Sequence, residues 1–210
     1  MTHTTDVRIW LRPLPVPVDL GVIEGAKARK AAAGAAMRER LLAELPDLDL
    51  ASMRRGRNGK PYLPPPYEHI GFNPSDSGGW WLMGIVHGAQ IGVDLEINRP
   101  RAKAMAIAQR HFPQAEVDWL STQPDIDHAF LRLWTMKEAL FKAIGRGIGY
   151  GLGKPCFQPG QDGRLVLVDL IGEAAPAGAW TCRELDLGHA HIGSAVWSGG
   201  DRDVRIERAA

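Results

Sequence analysis

From Ile126 to Ile144 apolar side chains recur at helical spacing, and from Gly145 to Gly153 every second residue is glycine. The first pattern predicts a helix packed along Phe130, Leu133, Trp134, Phe141 and Ile144, and the second ends it. The glycine run itself reads as a mobile, exposed loop. The helix is therefore a buried element, yet it carries Lys137, Glu138 and Lys142 among its large apolar residues. Trp134, Glu138 and Lys142 are spaced i, i+4, i+8 and form one ridge along it. A glutamate four residues before a lysine is by default a solvated pair worth about 0.3–0.5 kcal/mol. Apolar neighbours on both sides argue for something more.

A second acidic group lies about 40 residues earlier, in Gly92-Val93-Asp94-Leu95-Glu96. Strand alternation over Ile91 to Ile97 puts Ile91, Val93, Leu95 and Ile97 on one face and Asp94 and Glu96 on the other. Two such carboxylates stand roughly 6–7 Å apart at the backbone. Their oxygens can converge on one hard divalent cation, which keeps waters and bridges to phosphates. Alone, that spacing more often puts acids in water; Glu138 from the helix would supply the third carboxylate.

Upstream, a strand is expected at 7–11 and an alanine-rich helix at 26–45. A proline- and glycine-punctuated loop covers 56–66 and contains Lys60 and Pro61. Strands at 70–73 and 80–86 flank a small-residue turn at 75–79. Asn73, Ser75, Asp76 and Ser77 there offer amides and hydroxyls for phosphate oxygens, or make only a tight turn. Residues 87–90 read as a hairpin into the Asp94 strand. A short helix at 105–111 stops before Pro113, and strands at Leu165–Leu170, Trp180–Leu185 and 190–197 close the chain. Strands and helices mix without regular alternation, so the fold class expected is α+β.

The 210 residues suffice for one large domain or two small lobes, and 45% apolar against 23% charged allows a packed core. A net charge of +1 argues against a nucleic-acid or membrane coat. Lys27 to Lys60 is locally basic, with nine Lys or Arg against Glu39, Glu44, Asp47 and Asp49, and could receive an anionic small molecule. Cys156 and Cys182 are too few for a disulfide framework, and Met1 to Val18 has no apolar signal core. A reduced, cytoplasmic protein without a membrane span is expected.

Taken in order, Gly59-Lys60-Pro61, Phe72-Asn73-x-Ser75-x-Ser77-Gly78, Gly92-Val93-Asp94-Leu95-Glu96 and Trp134-x-x-Lys137-Glu138-Ala139-x-x-Lys142-x-x-Gly145 resemble the Sfp-type 4′-phosphopantetheinyl transferases. The resemblance spans about Arg29 to Gly149. It implies transfer of phosphopantetheine from coenzyme A to a serine of an apo acyl or peptidyl carrier protein, with adenosine 3′,5′-bisphosphate released. It implies a monomer of two pseudo-symmetric lobes, residues 1–88 and 89–210, each a mainly antiparallel sheet on a long helix, with coenzyme A in the cleft between them. It implies Mg²⁺ (or Mn²⁺) on Asp94, Glu96 and Glu138, with Glu138 and Lys142 catalytic. Arg29, Lys60, Pro61, Asn73, Ser75, Asp76, Ser77, Lys137 and Lys142 would line the cofactor site. Arg146 and Tyr150 of the glycine loop would face the acidic helix of the carrier. One position departs from the family: Asp76 stands where a histidine is usual. Two other readings fit the same residues. One is a different Mg²⁺-dependent pyrophosphate-cleaving enzyme, and the other is a non-catalytic module that binds coenzyme A or a carrier.

Overall fold

A computed structural model describes residues 6–15 and 22–209. The elements run β1 (Val7–Pro13), α1 (Val22–Glu44), β2 (Arg54–Arg55), β3 (Pro61–Tyr62), β4 (Ile70–Ser77), β5 (Trp80–His87) and β6 (Ile91–Ile97). Then follow α2 (Ala104–His111), α3 (Gln114–Ser121), α4 (Ile126–Ile144), β7 (Pro155–Pro159), β8 (Leu165–Leu170), β9 (Trp180–Leu185), β10 (His191–Ser198) and β11 (Val204–Arg208). The class is α+β. One sheet has the order β11-β1-β5-β4 and a second β6-β10-β9; β2-β3 and β7-β8 are separate hairpins.

Alternation along the strands sorts the core into layers. Trp10, Trp81, Met83, Ile85 and Phe72 face α1, where they meet Ala36 and Leu41. Val7, Ile9, Leu11, Leu82 and Val86 face the other way and meet Ile91, Val93, Leu95, Ala195 and Trp197 of the second sheet. Beyond that sheet, Ile192 and Val196 pack on Phe130, Leu133, Met136 and Leu140 of α4. The order is thus helix, sheet, sheet, helix. The last strand, β11, returns to the first sheet and pairs parallel with β1.

Several local expectations are corrected. The turn expected at 75–79 is strand as far as Ser77, because all eight residues of β4 pair with β5. Only Gly78 (φ 55°) and Gly79 (φ 85°) turn, and positive φ at both is what a two-residue hairpin loop with matching twist requires. Pro74 is tolerated because β4 is an edge strand of its sheet. The connection at 87–90 is no hairpin: it carries the chain from β5 to a strand of the other sheet. Helix α3 and strands β2, β7 and β11 were not expected, nor was β3, which falls within the loop expected at 56–66.

The glycine run is also more ordered than its composition suggests. Tyr150 is buried; its hydroxyl donates to the Ile171 carbonyl at 2.9 Å and accepts from the Ala174 N–H. Tyr150 is therefore an anchor rather than a docking residue, and Arg146 pairs with Glu173 at 2.6 Å.

Candidate active site

Helix α4 begins where Asp125 Oδ1 accepts from the His128 N–H at 2.9 Å. It ends at Gly145, whose φ of 78° turns the chain while its N–H and that of Arg146 return to the Phe141 carbonyl. What sets its position over β6 is Gly92. A Cβ there would stand 2.0 Å from the Ala139 carbonyl oxygen and 2.3 Å from the Ala143 nitrogen, so only glycine lets the helix backbone approach. Gly92, Asp94 and Glu96 share a strand face. The close contact at Gly92 therefore brings the helix ridge of Glu138 and Lys142 over the two acids.

Lys142 Nζ donates to Asp94 Oδ1 at 2.6 Å, to Ser75 Oγ at 2.8 Å and to the Val93 carbonyl at 3.2 Å. Ser75 Oγ also donates to Asp94 Oδ1 at 2.9 Å. Glu96 Oε2 accepts from Ser77 Oγ at 3.1 Å and from Arg101 at 2.5 Å. Glu138 Oε1 is buried with no hydrogen-bond partner. Burial foremost, then the Asp94 charge, pushes the Glu138 carboxyl up to about 6; Glu96 adds to this and Lys142 opposes it. The helix acid and both strand acids thus lie within one another's field.

Asp76 is exposed on the opposite side of β4 from Ser75 and Ser77. Desolvation raises its carboxyl above the usual range, Lys142 and Arg29 pull it back, and Asp94 adds to the rise. A lysine and an arginine therefore oppose the rise at this carboxylate. Arg29 comes from half-buried surface of α1, and Pro61 lies in the β2–β3 hairpin opposite Arg55.

Three residues expected at the cofactor are engaged elsewhere. Lys137 is completely buried, paired with Glu116 at 2.9 Å and bonded to the carbonyls of Leu152 and Pro155. It lies against Phe112 and Phe157, so no ligand reaches it. Asn73 Oδ1 accepts from the Val93 N–H at 2.9 Å. Lys60 Nζ donates to the carbonyls of Ile91 and Ala143, at 3.0 and 2.9 Å, and burial lowers its pKa to about 8. For Lys60 and Asn73 the cause is that β6 is an edge strand, whose free backbone groups need partners. Lys60, Asn73 and Lys142 supply them.

Sequence reasoning missed Arg101 and Gly92. The basic run Arg99-Pro100-Arg101 directly after Glu96 was a visible signal, and so was a glycine two residues before Asp94. Arg99, Arg101 and Lys103 rim a cleft of about 510 Å³ that opens beside Glu96, with Ile107, Phe130, Leu131 and Trp134 among its apolar lining. Its walls mix cations with large apolar surface.

A family model, described as the 4′-phosphopantetheinyl transferase superfamily, matches residues 90–190, which include both acid strand and α4. Over that segment the chain resembles this superfamily. Among relatives of this superfamily, the 4′-phosphopantetheinyl transferase psf-1 of Bacillus pumilus is 40% identical over 113 residues, 52% of this chain and 46% of the relative. The 4′-phosphopantetheinyl transferase AcpT of Escherichia coli K12 is 30% identical over 136 residues, 63% of this chain and 66% of the relative. The chain spans less than half the length of the first relatives it matches. A solved holo-[acyl-carrier-protein] synthase from Thermotoga maritima covers 55% of this chain and 64% of its own, at a TM-score of 0.42 and 19% identity, too partial a likeness to carry an argument.

Proposed function

We propose that this chain transfers the 4′-phosphopantetheine group from coenzyme A to a serine of an apo acyl or peptidyl carrier protein and releases adenosine 3′,5′-bisphosphate. One observation carries the reading: Glu138, with a buried and unpartnered oxygen, is electrostatically coupled to Asp94 and Glu96 beside Lys142. Moving a phosphoryl group asks chiefly for positioning and charge neutralisation, and this cluster provides for both.

The donor chemistry fits Mg²⁺, or Mn²⁺, held by Asp94, Glu96 and Glu138: three carboxylates, one with a free buried oxygen. Among the described residues no three acids, histidines or cysteines form a ready-made metal cage. Asp94 and Glu96 would first have to exchange Lys142 and Arg101 for the cation. When bound, such an ion neutralises pyrophosphate charge as a Lewis acid.

Glu138, raised toward neutrality, removes the proton of the attacking serine hydroxyl. Lys142, released from Asp94, balances charge on the departing phosphate. Arg29 and Lys142 hold the phosphates of coenzyme A and outweigh Asp76. Ser75 and Ser77 orient the two strand acids. The acceptor comes in from the cleft rimmed by Arg99, Arg101 and Lys103, whose charge suits an acidic helix. The reading carries with it a cytoplasmic monomer of two lobes that meet near Gly88. Among the described residues no helix is long and apolar enough to cross a membrane.

The test is to mix the protein with Mg²⁺, coenzyme A and an apo-carrier and to weigh the carrier. A mass increase of one phosphopantetheine group is expected. Glu138→Gln should lower the rate about 10²- to 10⁴-fold, and Asp94→Ala should abolish transfer, both with unchanged circular dichroism. Product nucleotide without carrier modification would instead identify a pyrophosphate-cleaving enzyme. Carrier binding with neither would identify a non-catalytic module.

A further inference from the structure

Arg101 bonds Glu96 at 2.5 Å, yet its Nε is buried without a partner. The contact is therefore incomplete: it brings a guanidinium out of water and leaves one of its donors unmatched. On the other side, Glu96 lies in the field of Glu138 with Asp94, and among the described residues the three acids form ion pairs with Lys142 and Arg101. Arg101 also lines the cleft beside Glu96. It thus sits at the boundary between an acid-rich cluster and an open basic rim.

Resting on the divalent-cation reading above, we infer that Arg101 is a built-in competitor for Glu96 that sets the cation affinity of the cluster. A divalent ion and the guanidinium want the same carboxylate, so each gain by one is a loss for the other. Binding of the ion and release of Arg101 toward the cleft are then one event. By linkage, an anion held by the cleft rim through Arg101 tightens the ion, and the ion tightens the anion by the same factor. The unmatched Nε makes this competitor weak enough to be displaced. A fully satisfied arginine would block the site; an uncharged residue would leave Glu96 unopposed.

The experiment is a Mn²⁺ titration of the intact chain, without coenzyme A or carrier, read by electron paramagnetic resonance of free Mn²⁺ and by calorimetry. Arg101→Gln should bind Mn²⁺ about five- to tenfold more tightly than the parent, at the lower end of typical coupling. Arg101→Lys should stay within about twofold of the parent, since the charge is kept. Arg99→Gln, which lines the same cleft, reports the effect of bulk charge alone. Equal affinity in the parent and Arg101→Gln overturns the competition while leaving the cation site standing. An equal gain in Arg99→Gln and Arg101→Gln also overturns it, as a general field effect. Absence of Mn²⁺ binding in every protein overturns both the competition and the cation reading. A folded state of each variant is checked by circular dichroism, and a gain confined to Arg101→Gln supports the inference.

Discussion

Lys137 and Lys142 lie five positions apart on α4, about 140° around its axis, and each meets a carboxylate. Lys137 is sealed: it and Glu116 are both fully buried, two backbone carbonyls take further donors, and aromatic rings close the rest. Lys142 is a quarter exposed and faces Asp94 where a second and a third carboxylate stand nearby. The same pair of functional groups is a clamp on one face and part of an acid-rich cluster on the other. What differs is balance. One carboxylate matched to one lysine with no room for water holds structure together. Three carboxylates against two cations, beside an open cleft, leave charge to be satisfied by something from outside.

The contrast is broken most directly through stability. Lys137→Met leaves Glu116 buried and unpaired, and should cost about 3–5 kcal/mol in chemical denaturation. Lys142→Met should cost about 1–2 kcal/mol, because Asp94 keeps the Ser75 hydrogen bond and Lys142 is itself partly solvated, and should remove transfer. Comparable stability losses for the two would erase the distinction.

A smaller effect sharpens it by pH. The Glu138 pKa is raised from 4.5 to about 6, so the folded protein holds that proton more tightly than the unfolded chain. Its favourable contribution is fully present below 4.5 and is lost as pH rises through about 6, a change of about 1 kcal/mol once screening by solvent is allowed for. Glu138→Gln should remove that slope from the metal-free protein. A carboxyl resonance of Glu138 titrating in the ordinary glutamate range would contradict it.

The smallest effect concerns the rim of the cluster. Asp76→His removes a negative charge beside Lys142 and Arg29. The KM for coenzyme A should fall about two- to fivefold, with kcat little changed. A rise in KM would mean that Asp76 contributes to binding as it stands.

Much of the reactive face was legible before any coordinates. The i, i+4, i+8 ridge on α4 and the alternating acids of β6 each follow from a periodicity that local sterics enforce. The sealed face was not legible. Lys137 belongs to the same motif as Glu138, yet it turns toward Glu116, which sits on a helix whose packing depends on residues far away. The protein partners of Asn73 and Lys60 were not legible for a related reason. Their chemistry suits phosphate, and the edge of β6 also binds them; which strand becomes an edge depends on pairing across about a hundred residues. The serines of β4 read as a turn because of composition; pairing with β5 overrode it.

By itself the chain determined its α+β class, the termination of α4 at Gly145 and the strand face shared by Gly92, Asp94 and Glu96, since each depends on backbone geometry over a few neighbours. Only the tertiary structure decided which polar groups remain free to react. A buried donor or acceptor must find a partner, and the partner that Lys60, Asn73 and Lys137 find, or that Glu138 Oε1 and Arg101 Nε lack, is set by the packing of distant segments.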